Sequence, residues 1–226
     1  MLLSVIIPVF NEQEYIVDVI NCIRRQPLRK EIIVVDDGST DGTREKVRAM
    51  TAEGKVRLIE QPVNRGKGAA LRRGLPEAKG DIIIFQDADL ELDPHDYPAL
   101  IEPIVSGNTE VVYGSRFLNR RNRIPLPNLL ANKALTAMTN LLYRARLTDE
   151  ATAYKVFRRE VIASIPLYSN GFEICPEITA KLLKAGYSII EVPIAYHPRS
   201  RQEGKKLNWT DGVIAVATLL RFRFTA

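Results

Sequence analysis

Short apolar runs rich in β-branched residues recur along this chain and alternate with amphipathic stretches. Strands that are apolar at consecutive positions are buried on both faces, and intervening helices supply the cover. The pattern therefore predicts an α/β fold, with a mostly parallel central sheet and helices on both faces. The predicted strands cover residues 4–9, 31–36, 56–60, 81–86, 110–114 and 188–195.

The amphipathic stretches predict eight helices between and after these strands. Residues 115–127 predict a loop within a single domain, because the strand at 188–195 needs the earlier sheet for cover. The predicted helices cover about 13–25, 41–53, 67–77, 95–106, 128–143, 159–165, 175–186 and 210–221.

Composition narrows the choice of partner. The 226 residues carry a net charge of +5 with a pI near 9.2, which favours an anionic partner. The two cysteines, Cys22 and Cys175, are too few and too scattered for a disulfide framework or a zinc site, which favours a reducing compartment. The apolar N-terminus is predicted to be a first strand. No apolar run approaches the ~20 residues of a membrane span, so we expect any membrane contact to come from one side.

Carboxylates cluster where two of the predicted strands end. Asp36 and Asp37 follow one strand, and Asp87 and Asp89 follow another. Such residues also form turns and helix caps, and Asp93 before a proline is typical of a cap. Ligands of open α/β sheets bind beyond the carboxyl ends of the strands, however, so this edge of the sheet is the candidate site.

The pair Asp87 and Asp89 carries the more specific signal. With one residue between them, both carboxylates can reach one point, and their mutual repulsion calls for a cation. Hard oxygen ligands favour Mg²⁺ or Mn²⁺, which complete their coordination with the phosphates of a substrate.

Four ordered motifs resemble those of family 2 glycosyltransferases with the GT-A fold: V-I-I-P-V-F-N-E, V-V-D-D-G-S-T-D-G-T, N-R-G-K-G-A-A-L-R-R-G and F-Q-D-A-D-L-E. Two later segments, L-T-D-E-A-T-A-Y-K-V-F-R-R-E-V and E-V-P-I-A-Y-H-P-R-S-R-Q-E-G-K-K, resemble the branch that includes dolichyl-phosphate mannose and glucose synthases. The resemblance covers almost the whole chain. It implies one GT-A domain over 1–226, with a nucleotide-sugar half at about 1–115 and an acceptor half at about 116–226.

The resemblance implies transfer of a hexose from a nucleotide diphosphate sugar. It implies a metal site for Mg²⁺ or Mn²⁺ at Asp87, Asp89 and Glu91, with Asp89 as the first choice for a direct ligand. Several polyprenyl-phosphate mannosyl members carry Gln where this chain has Glu91, which leaves the donor and metal preference open. The implied nucleotide-sugar-binding residues are Pro8, Glu12, Asp36, Asp37, Lys67 and Asp87.

The implied acceptor is a polyprenyl or dolichyl phosphate. Its phosphate is ionised near neutral pH, so it needs cations and no general base. In the family, Arg116 corresponds to an arginine that contacts phosphate, and Arg199, Lys205 and Lys206 belong to a loop that closes over the diphosphates. Asp149 corresponds to an active-site carboxylate where a base would sit for a hydroxyl acceptor, or it caps a turn. The implied catalytic set is Asp87, Asp89, Asp149 and Arg116.

A lipid acceptor also needs an apolar surface. The helix at 128–143 predicts such a face, although most amphipathic helices cover a core. We expect peripheral attachment at the cytoplasmic side of a membrane. The same helix surface could instead bind an integral membrane partner or form a homodimer interface. The predicted face comprises Leu130, Leu135, Met138 and Leu142, with Lys133, Arg144 and Arg146 available for headgroups.

Two functional alternatives remain beside the hypothesis of a lipid-phosphate acceptor. A hydroxyl acceptor, as in polysaccharide synthases, is disfavoured because the chain lacks a Q-x-x-R-W motif. A noncatalytic anion-binding or RNA-binding module would have no use for paired aspartates at two strand ends, so no nucleic-acid partner is expected. The sequence leaves UDP or GDP and glucose or mannose open, and R-Q-E-G-K-K and D-E-A-T-A-Y-K favour UDP-glucose.

Overall fold

Seven strands form a single sheet in the computed structural model, which describes residues 1–199 and 209–225, Trp209 by its backbone alone. The strands are β1 Leu3–Val9, β2 Lys30–Asp36, β3 Arg57–Glu60, β4 Ile82–Phe85, β5 Val111–Ser115, β6 Lys155–Arg158 and β7 Ile189–Pro193. Their order across the sheet is β3-β2-β1-β4-β6-β5-β7. Only β6 runs antiparallel to its neighbours, which confirms the mostly parallel sheet.

All eight predicted helices are present, with bounds that differ from the prediction by at most three residues. They are α1 Ile16–Arg25, α2 Thr43–Ala52, α3 Lys67–Gly74, α4 Tyr97–Val105, α5 Leu126–Tyr143, α6 Arg159–Ser164, α7 Ile174–Lys184 and α8 Trp209–Phe224. Single 3₁₀ turns extend α3 at Leu75–Glu77 and precede α4 at Pro94–Asp96. Asp93 caps the second of these turns, as expected, because its carboxylate accepts a hydrogen bond from the amide of His95.

The strand β6 was not predicted. It contains four residues with a cation at each end, and such a short charged run carries no clear strand period. Its lysine, Lys155, is nevertheless fully buried and donates a hydrogen bond to the backbone oxygen of Glu150 at 2.8 Å. Tertiary packing therefore decides this element.

Two apolar layers cover the sheet. Successive residues of β1 point to opposite faces, so that Val5 and Ile7 join one core while Ile6 joins the other. The first core is covered by α1, α2 and α4, and the second by α3, α6 and α7. This double cover explains why the strands are continuously apolar.

The sheet order brings the carboxyl ends of β1, β2 and β4 together, because β1 lies between the other two. The pairing continues past the strands: the amide of Asp37 donates to the oxygen of Val9 at 2.8 Å, and the amide of Gln86 donates to the oxygen of Ile6 at 3.0 Å. The two aspartate-bearing loops therefore leave the sheet on either side of the segment after β1.

The helix α5 packs beside α7 and α8. Leu135 and Leu142 were predicted to face lipid, but they pack against a buried cluster around Leu219 and Phe222, which corrects that part of the prediction. Leu130 is exposed, as expected. Within residues 1–199 and 209–225, no helix has the length and apolar character that crossing a bilayer requires.

Candidate active site

A cavity of about 360 Å³ opens at the carboxyl ends of β1, β2 and β4. Charged side chains dominate its polar lining, and Phe172 and Phe10 supply aromatic surface. The predicted site residues that line it are Pro8, Glu12, Asp37, Lys67, Asp87, Asp89, Glu91 and Arg199. The structure thus brings together eight of the residues expected to bind donor, diphosphate or metal.

Asp37 organises the loop before α3. Its carboxylate accepts hydrogen bonds from the Gln61 side chain at 2.8 Å and from the amides of Arg65 and Gly66 at 2.9 and 2.7 Å. Burial raises the pKa of Asp37, and the hydrogen bonds from the amides of Arg65 and Gly66 oppose that rise by favouring the carboxylate. Asp37 therefore sits at the cavity wall in a fixed orientation.

The glycines of the N-R-G-K-G motif allow another segment of the chain to pack closely against α3. The amides of Gly68 and Ala69 donate hydrogen bonds to the backbone oxygens of Gly171 and Asn170. A Cβ at Gly68 would lie 2.5 Å from the backbone oxygen of Ser169. The glycines permit the chain at 169–171 to pack against α3.

Lys67 and Asp87 both line the cavity, and their side chains form an ion pair. The Lys67 Nζ atom lies 2.5 Å from the Asp87 Oδ1 atom. Burial alone would lower the pKa of Lys67, but the adjacent Asp87 carboxylate raises it above its ordinary value. Lys67 therefore stays charged beside the position where an anionic ligand would enter.

Asp89 is the most perturbed carboxyl group of the cavity. It accepts hydrogen bonds from the amide of Glu91 at 3.0 Å and from the Arg199 guanidinium at 2.7 Å. Burial raises the pKa of Asp89 to about 7, the negative charge of Asp87 adds to the rise, and Arg199 opposes it. The Asp89 carboxyl group therefore binds a proton near neutral pH, and a divalent cation would compete with that proton for the carboxylate.

Arg199 bridges carboxylates from two parts of the site. Its Nη1 atom lies 2.9 Å from Glu12 Oε2, and its Nη2 atom contacts Asp89 as described above. Its amide donates to Glu91 Oε1 at 2.8 Å, and its guanidinium stacks over the Tyr15 ring. The arginine ties the segment after β7 to the carboxylates that follow β1 and β4. Lys205 and Lys206 lie outside the described residues.

Asp36 is not among the residues that line the cavity. It is fully buried, forms a 2.6 Å ion pair with Arg44, and accepts a hydrogen bond from the amide of Ser39. In this arrangement it holds the turn after β2.

Arg116 and Asp149 form a second cluster beside the cavity, and neither lines it. The guanidinium binds the carboxylate in bidentate fashion, with two contacts of 2.7 Å, and the Arg116 amide adds a third at 3.0 Å. Asp149 is fully buried. The Arg116 guanidinium stacks on the Tyr196 ring, and the Tyr196 hydroxyl reaches Glu91 at 3.5 Å.

Sequence reasoning missed the residues that position these groups. Gln86 is fully buried, and its side-chain oxygen accepts hydrogen bonds from the hydroxyls of Tyr97 and Tyr154 at 2.8 and 2.7 Å, which fixes the chain directly before Asp87. Glu191 accepts hydrogen bonds from the amides of Thr148 and Asp149. The polar Gln86 after four apolar strand residues was the available signal, because a buried polar group requires partners.

The chemistry of this donor set fits a hard divalent cation. Three carboxylates, those of Asp87, Asp89 and Glu91, share one cavity, and burial, with a further contribution from the charge of Asp87, raises the pKa of Asp89. Oxygen ligands of this kind are what Mg²⁺ and Mn²⁺ prefer. The cations Lys67 and Arg199 add a complement for an anionic ligand.

The family model for glycosyl transferase family 2 matches residues 4–165. This range includes every residue that lines the cavity except Phe172 and Arg199. The chain belongs to glycosyltransferase family 2. It is therefore a glycosyltransferase, and the predicted enzyme class is confirmed.

The relatives include lipid-phosphate sugar synthases. A dolichol-phosphate mannosyltransferase of Pyrococcus furiosus is 34% identical over 212 residues, which are 91% of this chain and 59% of that protein. A dodecaprenyl-phosphate galacturonate synthase of Rhizobium johnstonii is 28% identical over 212 residues, 90% of this chain and 61% of that protein. The chain thus spans about three fifths of the length of these relatives.

Solved structures confirm the GT-A fold of this glycosyltransferase. The glucosyl-3-phosphoglycerate synthase of Mycobacterium tuberculosis, in complex with Mn²⁺, UDP and phosphoglyceric acid, matches with a TM-score of 0.74 at 25% identity. The match covers 99% of this chain and 79% of that one.

Proposed function

We propose that this family 2 glycosyltransferase uses a divalent metal ion to transfer a hexose, with inversion, from a nucleotide diphosphate sugar to a polyprenyl or dolichyl phosphate at a membrane surface. One observation carries the proposal: the carboxylates at the ends of β1, β2 and β4 share a single cavity with Lys67 and Arg199. Such a cavity is matched to a ligand that contains a cation and a diphosphate.

The donor's nucleoside is assigned to the side of the cavity that contains Asp37 and Glu12. Carboxylates there can accept hydrogen bonds from ribose hydroxyls or base N–H groups. Pro8 lines the same wall, and Asp36 supports it from behind through Arg44. A solved relative that contains UDP supports the nucleotide assignment.

The metal is assigned to Asp87, Asp89 and Glu91. When bound, Mg²⁺ or Mn²⁺ neutralises the negative charge that develops on the leaving diphosphate. Lys67 is a second cation for the same charge, held in place by Asp87. Arg199 reaches Asp89 and Glu12, so a donor and its metal would exchange partners with this arginine.

The acceptor is assigned as a phosphate because Asp149 is poorly suited to act as a base. A general base must reach the proton that it removes, but Asp149 is fully buried and both of its oxygens bind Arg116. A lipid phosphate is already ionised and needs no base. Arg116, together with Arg199, is proposed to attract that phosphate, and Lys205 and Lys206 remain proposed contacts of the diphosphates.

The membrane contact is assigned to α5 in the proposed acceptor half, residues 116–226. Leu126, Leu130 and Leu141 are exposed and fall within about 60° of one another at 3.6 residues per turn. Lys133 and Arg144 are also exposed on this helix and at its end. An integral membrane partner and a second copy of the chain are the competing occupants of this face.

The deciding experiment incubates the protein with radiolabelled UDP-glucose or GDP-mannose, Mn²⁺ and dolichyl phosphate. We expect label in the lipid phase, with UDP-glucose preferred, and loss of transfer with a chelator and in Asp89→Asn. The matched control is Asp18→Asn, which changes an exposed carboxylate on α1 and should retain full activity.

Two results would overturn parts of this proposal. Transfer that persists in the chelator removes the metal from the reaction. Label that passes only to a soluble glycan removes the lipid phosphate and establishes the hydroxyl acceptor instead.

A further inference from the structure

Three potential metal ligands converge outside the cavity. The Cys22 thiol projects from α1, Asp93 caps the 3₁₀ turn before α4, and His95 lies within that turn. One ligand atom from each residue lies within 4.8 Å of the other two. The Cys22 Sγ atom is 4.0 Å from His95 Nδ1, and His95 Nδ1 is 2.7 Å from Asp93 Oδ1.

These separations are close to those around a tetrahedral ion. Bond lengths of about 2.0 to 2.3 Å place tetrahedral ligand atoms about 3.3 to 3.8 Å apart. The observed pair distances of 4.0 and 2.7 Å bracket that range, and both involve the Nδ1 atom of the exposed His95 side chain. The three ligand atoms therefore lie near the spacing that a bound ion requires.

The ligand types select a different metal from that of the cavity. A thiolate, an imidazole and a carboxylate suit a borderline-soft ion such as Zn²⁺, whereas the oxygen-only set at Asp87 and Asp89 suits Mg²⁺ or Mn²⁺. We propose that Cys22, Asp93 and His95 form a zinc site with three protein ligands and a fourth position open to solvent. Sequence reasoning excluded zinc because it considered the two cysteines alone.

The site has a defined place in the architecture. It joins α1 to the segment that follows β4, and that segment contains Asp89 and Glu91 four and two residues before Asp93. Capping of the 3₁₀ turn explains the contact of Asp93 with the His95 amide, but it does not explain the approach of a thiol from another helix. A bound ion would link the two elements directly.

Cobalt spectroscopy tests the site independently of sugar transfer. Co²⁺ is added to the reduced protein, and the thiolate-to-cobalt charge-transfer absorption is titrated to a stoichiometry of one. We expect the band in wild type and in Cys175→Ser, its absence in Cys22→Ser, and its loss when Zn²⁺ is added. A band that survives Cys22→Ser, or no band in wild type, overturns the proposal.

A second measurement tests the imidazole. We expect His95→Ala to weaken Zn²⁺ binding at least tenfold in a chelator-competition titration, while Mn²⁺ binding is unchanged. His95 is exposed, so the variant should fold normally. Equal Zn²⁺ affinity in wild type and His95→Ala would remove His95 from the site and overturn the three-ligand assignment.

Discussion

Asp89 combines two properties at the residue scale: it is a proposed metal ligand, and its proton affinity is far above that of an ordinary aspartate. Burial and the charge of Asp87 raise its pKa to about 7, against about 3.9 for a solvated aspartate. Below pH 7 a proton therefore occupies the carboxylate that the metal requires. A raised pKa in this position makes metal binding sensitive to mild acid.

We predict that the affinity for Mn²⁺ falls roughly tenfold per pH unit as the pH drops from 7 towards 5.5, because each bound ion must displace one proton from Asp89. Titration of Mn²⁺ by electron paramagnetic resonance at several pH values measures this slope. Affinity that stays constant over that range would contradict the assignment of Asp89 as a direct ligand.

The pair Arg116 and Asp149 allows a stability prediction at the same scale. Arg116→Ala leaves the fully buried carboxylate of Asp149 without its bidentate partner. Removal of one member of a buried ion pair costs about 3 to 5 kcal/mol. We expect a loss of that size in the free energy of unfolding, measured by urea denaturation.

The matched control is Arg48→Ala on α2. Arg48 also binds a carboxylate in bidentate fashion, that of Glu60, but its side chain is 53% exposed. An exposed pair contributes far less stability than a buried one, because solvent screens its charges. If Arg116→Ala and Arg48→Ala lower the free energy of unfolding equally, the burial of Asp149 does not determine the loss of stability.

At the element scale, β5 depends on a glycine for its close packing. A Cβ on Gly114 would lie 2.7 Å from Ile194 Cγ2 and 3.0 Å from the Cβ atom of Tyr154. Overpacking of this kind costs about 1 to 3 kcal/mol. We predict that Gly114→Ala lowers the free energy of unfolding by that amount in urea.

Gly212→Ala provides the comparison on α8. A Cβ at Gly212 meets nothing within 4 Å, so the change relieves the entropic cost of a helical glycine, about 1 kcal/mol. The two glycine variants should shift stability in opposite directions. A stabilising Gly114→Ala would show that the contact with Ile194 is loose.

The elements themselves were largely predictable, because continuous apolarity and helical periodicity are local properties. The exceptions have physical causes. The strand β6 is short, and its buried Lys155 is acceptable only after the fold supplies hydrogen-bond partners. The glycines before and within α3 accommodate residues 169–171, a contact that no local pattern encodes.

At the scale of the whole molecule, the parallel topology made half of the candidate site predictable. Once β1 lies between β2 and β4, Asp37 and Asp87 must follow the strand ends on either side of β1. The bridge from Arg199 to Glu12 joins residues 187 apart in the sequence, and the resemblance to the family supplied Arg199 as a diphosphate contact but not its contact with Glu12. The environment of Asp149 was equally hidden, because its burial depends on Arg116 and Glu191 together.

The exposed face of α5 gives the last prediction at this scale. A soluble monomer gains nothing from displaying a row of leucines, and Leu130 and Leu141 are 60% and 81% exposed. Transfer of a leucine out of water is worth about 1.5 to 3 kcal/mol, so each should contribute about tenfold or more to membrane affinity. We predict that Leu130→Glu and Leu141→Glu each weaken co-sedimentation with anionic lipid vesicles by at least that factor.

Both variants should keep wild-type stability, because neither leucine is buried in the fold. The control is Val105→Glu, which places the same charge at a valine of α4 that is 55% exposed and should leave vesicle binding unchanged. Unaltered binding of the two α5 variants would contradict a lipid-facing α5. A wild-type dimer that these variants dissociate in sedimentation velocity would instead assign the face to a second copy of the chain.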